Sequence, residues 1–242
     1  MISSGNKTHF ETVIGNMTYP GDRYNVPVTE DTIYDIASLS KVVGATSCAM
    51  KLYDMGLLNL DDQWIKYVPE ANNNGKDKIT IRNLLLHNAG FAPDYPFYGY
   101  YTNVTQREFL DWVYYTSLDY PVGTKTVYSD VSMVALQLVI ERITGQSLAV
   151  FAYDNVFLPL GMNSTLYNPP KWTKTCVPTT DVPNYRNQII RCHVHDPTAW
   201  ILGGVSGNAG VFTNFKDLKK FMTMMLQKGL YQAADGSMQR MF

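Results

Sequence analysis

Residues 35–60 read DIASLSKVVGATSCAMKLYDMGLLNL, and they place a serine and a lysine three positions apart at the head of an apolar run. Leu39, Val42, Val43, Thr46, Ala49, Met50 and Tyr53 recur at spacings of three and four. That stripe predicts a helix over 39–55, with Gly56 as a stop where a left-handed cap is easy. Ser38 stands where an N-capping serine would stand, and Lys41 could lay its stem along the helix and keep its charge in water. A second reading is chemical. Residues three apart on a helix share nearly one face, so Lys41 reaches the Ser38 hydroxyl, and an alcohol needs a base within hydrogen-bond reach to become a nucleophile. The spacing alone leaves both readings open.

Working outward, 242 residues suffice for one large domain or two small ones, and a 45% hydrophobic content supplies a substantial core. The formal net charge is −1, with acids and bases interspersed. This argues against nucleic acid or an anionic membrane surface as a partner. No apolar run approaches the roughly 20 residues that span a bilayer. The opening MISSGNKTHF has neither the basic end nor the apolar run of a signal peptide. Gly5-Asn6 is a turn signal followed by a strand-like segment at 9–19, so the chain reads as beginning inside a fold.

The pattern further along is helical, with strands at the ends. Helices are expected at 80–90 (Thr80 as cap, Gly90 past the end), at 105–115 (capping box Thr105/Glu108), at 131–145, at 147–161 and at 215–229. Residues 203–213 are glycine-rich and then strand-like, and Asn72–Asn74 reads as a loop. The layout is α+β: an antiparallel sheet flanked by helices, with a helical region inserted. It divides into 1–55 (sheet and nucleophile helix), 56–200 (mainly helical) and 201–242 (return to the sheet), all within one domain.

Cys48 falls near the inner stripe of the first helix and reads as a small core residue. Cys176 and Cys192 flank a strand–loop–strand excursion and could pair. Asn6, Asn16, Asn103 and Asn163 each begin an Asn-x-Ser/Thr sequon, and with the possible disulfide they lean toward a secretory context. His9, His87, His193 and His195 with three scattered cysteines give no metal-ligand spacing, and no cofactor is expected.

A second polar group precedes a helix at Tyr128-Ser129-Asp130. Alone it reads as a turn with Asp130 as N-cap. Together with Ser38-x-x-Lys41 it resembles the serine beta-lactamase and penicillin-binding superfamily, in particular the branch of class C beta-lactamases, D-alanyl-D-alanine carboxypeptidases and esterases. TIYDIASLSKVVGA resembles the nucleophile region and LDDQWIKYVPE the segment after it. ITIRNLLLHNAGF is similar to a Leu-Leu-x-His-x-Ser-Gly loop, with Ala89 where serine is common. YSDVSMVALQLVIERITG is similar to a Tyr-x-Asn motif, with Asp130 in place of asparagine. CHVHDPTAWILGGVSGNAGVFTNFKDLKKFM resembles a downstream VHD…GGVAGHAGLF stretch.

This resemblance implies an acyl-enzyme hydrolase with Ser38 as nucleophile, Lys41 and Tyr128 sharing the proton, Asp130 facing substrate, and the Ser38 N–H as half of an oxyanion hole. A lysine acts as a base only when neutral, and burial or a nearby cation favours that form. Retention of a buried lysine, costly to desolvate, argues for an active parent. His195-Asp196 and His87 are expected to be structural. The substrate would be a small molecule or peptide carrying an ester, amide or lactam. The family's third motif, Lys/His-Thr-Gly on a strand, has no counterpart in the chain; Lys125-Thr126-Val127 lacks the glycine and comes too early. The resemblance therefore implies a chain cut at both ends, with an incomplete sheet and little activity alone. The other implied outcome is an inactive fragment or paralogue that serves as a binding or structural unit.

Overall fold

Strand β7 (Val211–Asn214) is buried along its whole length and organises the parts of the molecule that matter for chemistry. The computed structural model describes residues 2–4, 7–96, 103–171, 173–181, 186, 188–233 and 235–242. β7 lies between β3 (Ile33–Asp35) and β4 (Leu166–Tyr167), antiparallel to both, with Asp35 opposite Phe212 and Tyr167 opposite Val211. Its first residue also grips the segment after β3: Ile36 N–H donates to Val211 O at 3.1 Å, and Val211 N–H donates to Ser40 Oγ at 3.0 Å. The sheet thereby fixes both ends of the turn that carries Ser38.

The remaining described strands form two-stranded ribbons: β1–β2 (Ile2–Ser4 with Lys7–Phe10), β5–β6 (Pro178–Asp181 with Gln188–Arg191) and β8–β9 (Leu230–Gln232 with Met238–Arg240). The ribbon β5–β6 is the excursion expected between Cys176 and Cys192. The strand expected at 9–19 is corrected: β2 ends at Phe10, and beyond it only a bridge between Asn16 and Pro27 is made. All four β2 residues are exposed, and without a buried face no packing extends the strand.

The helices are α1 (Ser47–Asp54), α2 (Ile81–Leu85), α3 (Gln106–Tyr115), α4 (Asp130–Thr144), α5 (Leu148–Ala152), α6 (Pro197–Ile201) and α7 (Phe215–Leu226). Helix α4 is the spine. Its residues Val131 to Ile140 are all buried, which suits a helix apolar on every side, and Gly145 closes it at φ +67°. The capping box of α3 forms as read, and Thr80 caps α2 through a box with Asn83. Asp130 is not the cap of α4. Ser129 Oγ takes that role by accepting from Ser132 N–H, which leaves the Asp130 carboxylate free for other partners. Helix α5 is shorter than its pattern and continues as a π-helical turn, Tyr153–Phe157.

The first helix departs most from its periodicity. A 3-10 turn, Ala37–Leu39, leads into a π-helix, Lys41–Thr46, and only then into α1. The i→i+5 bonding rotates the buried face. Leu39, Val42 and Tyr53 of the predicted stripe are exposed, while Lys41, Val43, Ala45, Cys48 and Leu52 are buried. Gly44 is required in this stretch, because a Cβ there would lie 2.4 Å from Tyr167 Oη.

Cys48 is a fully buried core residue, as read. The expected bridge is not formed: Cys176 and Cys192 are both buried free thiols, Cys192 Sγ donating to Thr173 O at 3.5 Å, with burial first and the neighbouring Cys192 second pushing Cys176 up to about 12. They belong to a small cluster with Ile33, Val194, Ala199, Ala209 and Phe212, set behind the segment that carries Asp196. Among the described residues no single helix is long and apolar enough to cross a membrane.

Candidate active site

The nucleophile turn is built from Asp35. One carboxylate oxygen accepts from Ala37 N–H at 2.9 Å, and the other accepts from His195 N–H at 2.9 Å. The 3-10 turn follows, with Ala37 held at φ +46°. That left-handed conformation costs an alanine on the order of 1–2 kcal/mol. The strained residue immediately precedes Ser38, which is exposed and makes no capping bond for the turn.

Lys41 is buried and spends all three of its hydrogens. Nζ donates to Ser38 Oγ at 3.0 Å and to Asn208 O at 3.0 Å, and it pairs with Asp130 Oδ1 at 2.7 Å. The serine–lysine contact predicted from spacing is therefore made, and the capping reading of Ser38 is not. The charge beside the lysine is an anion, not the cation invoked to neutralise it. Asp130, expected to face substrate, has both oxygens engaged, since Oδ2 accepts from Asn208 Nδ2 at 3.1 Å. Its place is under the lysine because Ser129, not Asp130, caps the helix.

Tyr128 crosses 90 positions of sequence to reach the site, but it presents its ring. Lys41 Nζ lies 4.7 Å from the ring centroid. The residue is 56% exposed, and no hydrogen bond to its hydroxyl is found among the described residues. His87 packs against the same ring, tilted by 35° with centroids 4.8 Å apart. His87 sits at φ +54°, and its Nδ1 accepts from Ser129 N–H at 3.1 Å, which places the proton of the neutral ring on Nε2. Burial lowers His87, and the Lys41 charge adds to this. The histidine is structural in that it holds the Tyr128–Ser129 segment in place.

Asp196 caps α6 through Ala199 N–H at 2.8 Å, and its Oδ1 also accepts from Asn208 Nδ2 at 2.9 Å. Burial pushes its carboxyl above the usual carboxylate range. The Ala199 and Asn208 hydrogen bonds oppose this, and the nearby Asp130 and Asp94 charges reinforce it. Asn208 was not singled out from sequence. Its only signal is its place in the glycine-rich GNAG run, where Gly207 lets the backbone pass α4: a Cβ there would lie 2.0 Å from Met133 O.

A groove of about 800 Å³ lies elsewhere, between α7 and the β8–β9 ribbon, and no residue of the Ser38 cluster lines it.

An antiparallel strand pair leading into a Ser-x-x-Lys turn, with a Tyr-x-Asp segment against the lysine, belongs with a beta-lactamase-type fold. The family model for Beta-lactamase matches residues 1–241, and the chain belongs to that family. A protein of Escherichia coli (strain K12) named "Putative D-alanyl-D-alanine carboxypeptidase" is 32% identical over 231 residues, covering 85% of this chain and 53% of the relative. A protein of the same name from Salmonella agona (strain SL483) is 32% identical over 228 residues, with 84% and 53% covered. The chain thus spans about half the length of these curated relatives.

Among solved structures, a class C beta-lactamase from Rhodobacter sphaeroides superposes with a TM-score of 0.71 at 21% identity, over 89% of this chain and 57% of that one. A beta-lactamase/D-alanine carboxypeptidase from Pseudomonas syringae gives 0.67 at 22% identity, over 82% and 52%. These likenesses confirm the α+β fold expected from the sequence.

Proposed function

We propose that this chain carries the nucleophile, base and proton path of a serine hydrolase that forms an acyl-enzyme at Ser38. The supporting observation is the exposed Ser38 Oγ within 3.0 Å of a buried Lys41 ammonium that is itself paired to Asp130. In the reaction so read, Ser38 Oγ attacks the carbonyl carbon of an ester, amide or lactam. Its proton moves to Lys41 Nζ as Lys41 passes one of its own to Asp130 Oδ1, so no net charge appears. The proton returns by the same route to the leaving group, whose bond to carbon breaks, and water later cleaves the acyl-enzyme. Asp130 thereby supplies what the lysine lacks, an acceptor that lets an ammonium act as a base. Tyr128 walls Lys41 with its ring and directs its hydroxyl to the leaving group. The Ser38 N–H serves as one oxyanion donor. The carboxypeptidase name of the relatives favours a peptide or lactam carbonyl over a simple ester.

A second reading is that the chain is a binding or structural unit of the same fold. The test is covalent labelling. Fluorescent penicillin or an activated ester should add one acyl group, mapped by peptide mass to Ser38 and absent from Ser38→Ala. Equal labelling of the alanine variant removes Ser38 as nucleophile, and no labelling of the wild type supports the second reading.

A further inference from the structure

Asn208 is fully buried between two carboxylates and the lysine. Its Nδ2 donates to Asp130 Oδ2 at 3.1 Å and to Asp196 Oδ1 at 2.9 Å, so both amide hydrogens go to carboxylates. Its Oδ1 accepts from Ser206 Oγ at 2.5 Å, and its backbone oxygen accepts from Lys41 Nζ at 3.0 Å. One residue thus holds Lys41 by its main chain and the partner of Lys41 by its side chain.

We propose that Asn208 and Asp196 are positioning residues for the Ser38–Lys41–Asp130 path: the Asn208 amide locks the rotation of the Asp130 carboxylate, and Asp196 locks the amide. This rests on the reading of Lys41 and Asp130 as the proton path. The χ2 of an aspartate is a broad, soft torsion. A carboxylate held only at Oδ1 by a lysine could swing away as the proton shifts. A second bond at Oδ2, from an amide that is itself anchored, removes that freedom and keeps Oδ1 on Nζ through the transfer. Small displacements at such a contact cost orders of magnitude in rate. Asp196 contributes charge as well as geometry. The groups facing it are Asp130 from α4, linked through the amide, and Asp94, which accepts from Thr198 Oγ1 at 3.2 Å beside the cap. Two cations stand near this chain of contacts: Lys41, beyond Asp130, and Arg186, which donates to the backbone oxygens of Val194 and His195.

Capping alone does not require the charge, because asparagine caps a helix as well as aspartate does. Asp196→Asn therefore separates the two roles. In the full protein, acylation of Ser38 by p-nitrophenyl acetate is followed by the release of nitrophenol across pH 5–9, beside thermal unfolding. For Asp196→Asn we expect an unchanged melting temperature and KM, an acylation rate down about tenfold, and an acidic limb of the pH–rate profile moved to lower pH, because a negative charge near the proton path is gone. For Asn208→Ala we expect a loss of about a hundredfold in rate with KM within a few-fold of wild type; if that variant fails to fold, the Asp196 variants decide.

A wild-type rate and pH profile in Asp196→Asn removes the charge role, and a wild-type rate in Asp196→Ala as well, or in Asn208→Ala, overturns the proposal and leaves Asp196 as a cap. Lys41→Ala is the control on the underlying reading. Wild-type acylation in Lys41→Ala, or no Ser38 labelling in the wild type, overturns that reading and this proposal together.

Discussion

Replacing Lys41 by methionine keeps the length of the side chain and removes its charge. Asp130 then stays behind, 17% exposed at its side chain, joined through the Asn208 amide to the half-buried Asp196. Breaking a buried ion pair by removing one partner costs about 3–5 kcal/mol. Because Asp130 keeps its hydrogen bond to Asn208 and some access to water, the low end applies, about 3 kcal/mol for Lys41→Met. For a chain of this size that corresponds to a fall of roughly 6–12 °C in melting temperature. Asp130→Leu leaves the lysine 4% exposed with only neutral acceptors, Ser38 Oγ and Asn208 O, and should cost about as much. The double variant Lys41→Met/Asp130→Leu removes both charges and puts apolar volume in their place, which is often neutral or better. It should therefore be more stable than either single variant, with a coupling of about 2–3 kcal/mol in a double-mutant cycle. Urea unfolding of the four proteins, compared at equal m-values, measures it. Additivity within about 0.5 kcal/mol would refute the view that the pair holds full opposite charges in the folded state.

Three further outcomes are expected. Lys76→Met should lower stability by about 2–4 kcal/mol, because Asn73 Oδ1 and Thr116 O lose the ammonium that satisfies them. Burial lowers Lys76 from 10.5 to about 8. Between those values the unfolded chain holds a proton that the folded one has lost, so wild-type stability relative to Lys76→Met should rise from pH 8 toward 10.5, as read by urea unfolding at each pH. Gly44→Ala should cost about 1–3 kcal/mol in the same assay, since the new Cβ meets Tyr167 Oη and displaces its bond to Ser206 O. Tyr128→Phe should slow Ser38 acylation about a hundredfold with little change in KM if the hydroxyl serves the leaving group; a full rate would reduce Tyr128 to a wall for Lys41.

Local patterns carried much of the fold into view. The caps Thr80 and Thr105, the stop at Gly145 and the buried run of α4 depend on neighbours within a turn or two, and they were legible. Ser38 and Lys41 were legible for the same reason. What escaped depends on partners far along the chain. The buried face of the first helix differs from the expected one because periodicity assumes 3.6 residues per turn, and the Lys41–Thr46 turn is wider than that. Asp130 was read as a cap because a serine and an aspartate side by side compete for that role, and only the fold shows which one Lys41 claims. Asn208 lies 167 positions from the lysine it holds. A buried lysine does not by itself imply chemistry. Lys76 is buried completely, with no nucleophile among its bonding partners, and it ties the end of α3 to the 73–76 turn. Burial of a lysine is informative only together with what its hydrogens reach.

The π-helical stretch Lys41–Thr46 has a consequence for how the chain tolerates change in length. A π-turn is equivalent to one residue inserted into an α-helix. Deleting one residue between Val42 and Thr46 would remove that extra residue and let the segment relax to ordinary winding with its flanks close to their present phase, because the wide turn absorbs the extra residue within one revolution. Lys41 would keep its place beneath the nucleophile. In α1 no wide turn absorbs a change, and one residue removed there would swing everything before it by about 100° and carry Lys41 off Asp130, although every side chain that forms the cluster would still be present in the sequence. The aim of Ser38 is in that sense counted rather than spelled, and the count has slack at one turn: a single gap between 42 and 46 keeps the site, whereas the same gap a turn further on retains every motif letter and loses it.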